Sequence, residues 1–169
     1  MNILVRNKSS PQVGLPDSGC RIPNLVSYTI DMGVEPAEGG FGKVNKGYRR
    51  TDNHAVAIKT CSKDEGVSQS TIDSLRREYS VMRGVRHGNI LRALELIESS
   101  HHVVLILNWC EGGDLSKFVS RRRADGDTPE NLEYRSEVRN IIIGILQALK
   151  YIHYNLGAIH RDLKPRKNY

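Results

Sequence analysis

The sequence is poor in cysteine, has no long apolar run and no visible repeat, and each absence removes a class of protein. The three cysteines, Cys20, Cys61 and Cys110, are odd in number, far apart and without CxxC spacing. That excludes a disulfide framework and a zinc site, and leaves buried or incidental thiols. No apolar stretch approaches the ~20 residues that a membrane helix needs. The opening "MNILVRNKSSPQVG" is too short in apolar residues for a signal peptide. A cytoplasmic or nuclear protein with no membrane partner is the expectation. The net charge is +6, yet the basic clusters Arg49-Arg50, Arg76-Arg77 and Arg121-Arg122-Arg123 are short. Acids such as Glu78, Asp125 and Asp127 lie beside them, and no aromatic residue interleaves. Solvated surface is expected there, and no nucleic-acid partner.

What remains is globular in composition. The 169 residues are 38% hydrophobic and 26% charged, which suits one domain with a real core or two small lobes. Residues 1–26 hold Pro11, Pro16 and Pro23 without periodicity and read as a flexible extension. Strand signals follow. "LVSYTIDMGV" is rich in β-branched and aromatic residues, "KVNKGY" and "HAVAIKTC" alternate, and "RRTDN" between them is turn material. A helix comes next, with Ser70 and Asp73 resembling a capping box and Ile72, Leu75, Tyr79 and Met82 as its stripe. "RALELIES" and "HVVLILNW" are two more strands. The last third is helical: "LSKFVSRRR", then "SEVRNIIIGILQALKYIHYN" with Val138, Ile142, Ile145, Leu149 and Ile152 in one stripe. Ile141, Ile143, Leu146 and Ala148 widen that stripe into a band that belongs on an enclosed helix.

"AEGGFGKV" contains Gly39, Gly40, Gly42 and Val44. A dinucleotide loop must open a helix, whereas the residues after Gly42 alternate like a strand and include Gly47. That leaves a hairpin turn or a loop covering phosphates. The second needs glycine because backbone N–H groups must approach phosphate oxygens without a Cβ in the way. The motif alone does not decide between them.

In "VAIK", Ala57 and Lys59 share one sheet face, while Val56 and Ile58 point to the other. A lysine ending an apolar strand often snorkels to solvent. The small Ala57 beside it leaves room for a flat ligand, with the ammonium further along to meet phosphates. A lysine held there needs a counter-charge, and Glu78 on the helix is the candidate. Alone, Glu78 reads better as a solvated helix residue paired with a nearby arginine.

Taken in order, "EGGFGKV", "VAIK", "REYSVMRGVRHGNIL", "NWCEGGDL" and "HRDLKP" resemble a eukaryotic protein kinase domain over residues 27 to 166. The resemblance implies an α+β fold: a five-stranded antiparallel sheet with one main helix over 27–107, a linker over 108–114, and the start of a helical lobe over 115–169. It implies that Gly39, Gly40, Gly42 and Val44 cover the phosphates and adenine of ATP, and that Ala57 packs on the adenine. Lys59 would hold the α- and β-phosphates and pair with Glu78. Leu107 would guard the back of the pocket. The backbone of Asn108 and Cys110 would bind the adenine edge, with Asp114 at the ribose. Asp162 would be the catalytic base toward a protein hydroxyl, and Lys164 would neutralise the transferred phosphoryl group. Lysine two places after the aspartate resembles serine/threonine kinases.

The departures shape the expectation. Ala37 stands at the first glycine of the loop, Gly88 at a frequent proline and Asn108 at a frequent glutamate. Lys167 occupies the position where the family places an asparagine that holds Mg2+, and Asn168 comes one place late. No Asp-Phe-Gly or Ala-Pro-Glu follows, so no metal ligand is assigned and the chain reads as stopping just after the catalytic-loop motif. The expectation is a kinase by family that is inactive alone. The alternatives are a non-catalytic nucleotide- or protein-binding module like a pseudokinase, or a fragment unstable by itself.

Overall fold

A computed structural model describes residues 25–39, 42–63, 67–161 and 163–164. In chain order the elements are β1 (Tyr28–Ile30), β2 (Ala37–Gly39), β3 (Gly42–Arg49), β4 (Ala55–Ser62), α1 (Gln69–Met82), β5 (Ala93–Glu98), β6 (His102–Asn108), α2 (Leu115–Ala124) and α3 (Leu132–Asn155). These residues fall into two compact units, one holding 25–85 and 92–109, the other 86–91 and 110–164. The segments "RALELIES" and "HVVLILNW", expected as strands, are β5 and β6.

The first unit is an antiparallel sheet in the order β1-β3-β4-β6-β5, with α1 packed on β5 and β6. It is five strands across, as the sequence implied, but its first edge is made of two pieces. β1 pairs with Gly47 to Arg49 and β2 with Gly42 to Val44, both on β3. The strand expected within "LVSYTIDMGV" is Tyr28–Ile30, and β2 comes from residues that read as loop.

Alternation along β4 sorts its side chains into two faces, both buried. Val56 and Ile58 cluster with Tyr28, Val104 and Ile106 on one face, and Leu25, Ile30, Leu94 and Ile97 cover them. Gly47 in β3 makes this packing possible. A Cβ there would run into the Thr29 carbonyl oxygen and Ile58 Cδ1. Ile58 is fully buried, so Ile58→Ala costs about 2–5 kcal/mol for the lost transfer energy and the cavity. The other face carries Ala57, Lys59 and Cys61, paired across β6 with Leu107, Leu105 and Val103. The apolar stripe of α1 is Ile72, Leu75 and Met82, with Tyr79 half-buried. The helix begins two residues earlier than expected. Ser68, not Ser70, is the N-cap, and its hydroxyl accepts the Thr71 N–H. Ser70 instead lies in the first turn, where its hydroxyl meets that of Ser68 at 2.7 Å.

In the second unit, Asn131 caps α3 by accepting the Glu133 and Tyr134 N–H groups. α2 and α3 meet through Phe118 stacked on Tyr134 and through Arg122, which lies over the same tyrosine. Arg122 is also ion-paired to Asp127 at 2.9 Å. The buried side of α3 is Ile141, Ala148 and Ile152. Ile142, placed in the middle of the expected stripe, is exposed, as are Ile143 and Leu146. Residues 86–91 belong to this unit. His87 sits against Tyr151 with ring centroids 5.2 Å apart. Asn89 donates to Gln147 at 3.1 Å and lies close over Gly144, where a Cβ would come within 3.3 Å of its side chain. Among the described residues, no helix is long and apolar enough to cross a membrane.

Candidate functional site

The candidate site in the first unit is built on one sheet face. Val44 faces Lys59 across the β3–β4 ladder, and Ala57 faces Leu107 across β4–β6. Side chains directly opposite in an antiparallel pair share a face. So Val44, Ala57, Lys59 and Leu107 line one surface, and all four are buried. Lys59 is the only buried charged residue among those described, at 3% exposure. An ammonium in such a place costs several kcal/mol unless compensated. The compensation is Glu78 of α1, whose Oε2 accepts from Lys59 Nζ at 2.9 Å. The sequence interval between them is 19 residues, so only the packing of α1 on the sheet brings them together.

The glycine-rich stretch is the β2–β3 hairpin. Gly39 faces Gly42 in the register, and Gly40 and Phe41 between them lie outside the described residues. Gly42 has φ 129°, a conformation that L side chains rarely adopt, and a Cβ on it would collide with the Thr60 carbonyl oxygen. The hairpin-turn reading thus accounts for Gly42 by itself, without excluding phosphate above it.

At the end of β6, the Asn108 N–H donates to the Arg92 carbonyl and the Trp109 N–H to that of Ala55. The Asn108 side chain turns to His54, with Oδ1 3.2 Å from Nε2. Lys46 Nζ lies over both the Trp109 and Tyr48 rings, 5.5 and 5.7 Å from their centroids. The linker's first two residues are thereby tied to the sheet by backbone and side chain, a fastening that the sequence gave no sign of.

The remaining expected residues lie in the second unit. Burial pushes the Cys110 thiol up to about 11, so it stays protonated at neutral pH. Asp114 is the N-cap of α2, and one of its oxygens accepts the Lys117 N–H at 2.7 Å. Lys164 is exposed. Asp162 and Lys167 lie outside the described residues, so the expected base has no described geometry. Its neighbour Arg161 does, with φ 61°. A non-glycine residue held in the left-handed region is strained and is concentrated at functional sites.

A family model for the protein kinase domain matches residues 36–168. The chain belongs to the protein kinase family. A probable myosin light chain kinase of Dictyostelium discoideum is 34% identical over 79% of this kinase chain and 36% of its own length. Serine/threonine-protein kinase 36 of Pongo abelii is 35% identical over 76% of this chain and 9% of its own. A crystal structure of Rad53 residues 1–466 in complex with AMP-PNP superposes with TM-score 0.62 and 32% identity, over 82% of this chain and 33% of that one. The kinase chain thus spans about a third or less of these relatives.

Proposed function

We propose that the chain is the nucleotide-holding part of a serine/threonine protein kinase, which binds ATP on the sheet face of Val44, Ala57, Lys59 and Leu107. The observation that carries this reading is the buried Lys59–Glu78 ion pair at 2.9 Å on that face. A buried pair is a weak source of stability, because desolvation offsets the Coulombic gain. Its presence is better explained by a ligand whose phosphates Lys59 meets. The AMP-PNP bound by Rad53 supports the same ligand class. The adenine would lie against Val44, Ala57 and Leu107 with its edge on the backbone of Asn108; Cys110 and Asp114, which the resemblance also assigns to the nucleotide, belong to the other unit.

In the family reaction a protein Ser or Thr hydroxyl attacks the γ-phosphorus of ATP and ADP leaves. By the resemblance, Asp162 would accept the hydroxyl proton there, and Lys164 would neutralise the developing charge on the moving group. Positioning and electrostatics supply the acceleration. The residues present do not fit the Mg2+ that such a reaction uses. Lys167 stands at the sequence position where the resemblance places an asparagine that holds Mg2+, and an ammonium cannot ligate a cation. We therefore derive no step through a metal and expect ATP binding without transfer from this chain alone. Each ~1.4 kcal/mol of lost transition-state stabilisation is tenfold in rate, and a positioned base returns only about 10²–10⁴-fold. The test is purified chain with radiolabelled ATP, magnesium and a basic protein substrate. No label should transfer. Transfer above background that Asp162→Asn abolishes would overturn the inactive reading, while a lack of any nucleotide binding would overturn the proposal as a whole.

A further inference from the structure

The ion pair of Lys59 with Glu78 depends on how α1 is rolled about its own axis. At 100° per residue, Glu78 lies about 60° to one side of the inward-facing Leu75, and Arg76 lies about 100° to the other. Both flanks are held by the sheet. On one, Glu78 meets Lys59. On the other, Arg76 grips Glu98, the last residue of β5, with two nitrogens: Nε donates to Oε2 at 3.3 Å and Nη2 to Oε1. Lys63, just past β4, donates to the same Oε1 at 2.6 Å and to the Ser99 carbonyl at 2.8 Å. Asp73, one turn earlier on α1, accepts from Arg76 Nη1 at 3.0 Å. Isolated surface ion pairs contribute little, but a bidentate arginine inside a network fixes geometry.

We propose that Glu98 is a positioning residue, which with Arg76 and Lys63 locks the roll of α1 so that Glu78 stays on Lys59. The effect on nucleotide rests on the function proposed above; the effect on Lys59 does not. An apolar stripe alone tolerates rolling by tens of degrees, since Ile72, Leu75, Tyr79 and Met82 offer one another's surface to the sheet. A second anchor on the far flank removes that freedom.

The experiment is acetylation of the whole chain without nucleotide, read per lysine by mass spectrometry. Glu78→Gln sets the signal for a Lys59 that has lost the Glu78 carboxylate. Glu98→Gln and Arg76→Gln should each raise the Lys59 rate severalfold while the exposed Lys150 of α3 keeps its rate. The double variant should do no more than either single one. Glu98→Gln should add nothing in the Glu78→Gln background. An unchanged Lys59 rate in both single variants overturns the proposal. So does an equal rise at every lysine, which would mean general destabilisation, or an additive effect in the Glu78→Gln background. Nucleotide affinity is measured separately. If the wild-type chain bound none, the functional reading would fail while the labelling result still decided the role of Glu98.

Discussion

Removing one partner of the Lys59–Glu78 pair should have very different consequences from removing the other. Glu78→Ala leaves an ammonium whose side chain is 4% exposed with its carboxylate gone. Breaking a buried pair in this way costs about 3–5 kcal/mol. For a chain of this size 1 kcal/mol shifts Tm by about 2–4 °C, so a loss near 3 kcal/mol lowers it by about 6–12 °C. Lys59→Met replaces the charged side chain with an apolar one of similar length. It leaves Glu78, whose side chain is 16% exposed and can take up water by a small movement. The cost should be ~1 kcal/mol. Lys59→Met with Glu78→Leu should match or exceed the wild type, because apolar replacements avoid the desolvation of both charges. Nucleotide affinity should fall in all three. Thermal melting followed by circular dichroism, beside a nucleotide titration, separates the two effects. A Lys59→Met variant as destabilised as Glu78→Ala, or a double variant far below wild type, would refute the view that the pair serves the ligand rather than the fold.

Other outcomes follow from individual residues. Gly42→Ala should cost about 1–3 kcal/mol and disorder the β2–β3 hairpin, because its φ of 129° and its contact with the Thr60 carbonyl admit no Cβ; loss of amide-exchange protection across β3 checks this. Cys110, with its thiol raised to about 11 by burial, should react with iodoacetamide at pH 8 roughly a hundredfold more slowly than a free thiol of pKa ~8.5. Its rate should rise with pH until about 11. Ile142, Ile143 and Leu146 form an exposed apolar run on α3, which invites association. Ile142→Glu with Leu146→Glu should shift size-exclusion profiles toward monomer, and an unchanged profile would count against that role.

The sheet was legible because period-two alternation in "HAVAIKTC" and the continuous run from Val103 to Leu107 are strong local signals. Lys59 and Glu78 were legible as a pair only through motif order, since nothing local to either residue names the other. β2 was not legible. Its three residues are held by pairing with β3, not by any propensity of Ala-Glu-Gly. The α1 cap was misplaced because Ser68 and Ser70 both suit a helix start, and the choice is set by which backbone N–H each one meets. In α3 the buried side is rotated by about 50° from the expected stripe. With isoleucine or leucine at 141, 142, 143, 145, 146 and 149, several stripes satisfy the helical period, and packing alone selects Ile141, Ala148 and Ile152. The Glu98 network was invisible for a simpler reason: Arg76 and Glu98 are 22 residues apart on different elements.

The most direct measurement is titration of the chain with a fluorescent ATP analogue, with and without magnesium, beside Lys59→Met. The proposed ligand surface is the buried face of Val44, Ala57, Lys59 and Leu107, and no metal ligand is assigned beside it. Saturable binding should therefore appear in both conditions, with affinities within a few-fold of each other, and should weaken at least tenfold in Lys59→Met. Binding that required magnesium, or that Lys59→Met left untouched, would contradict the account.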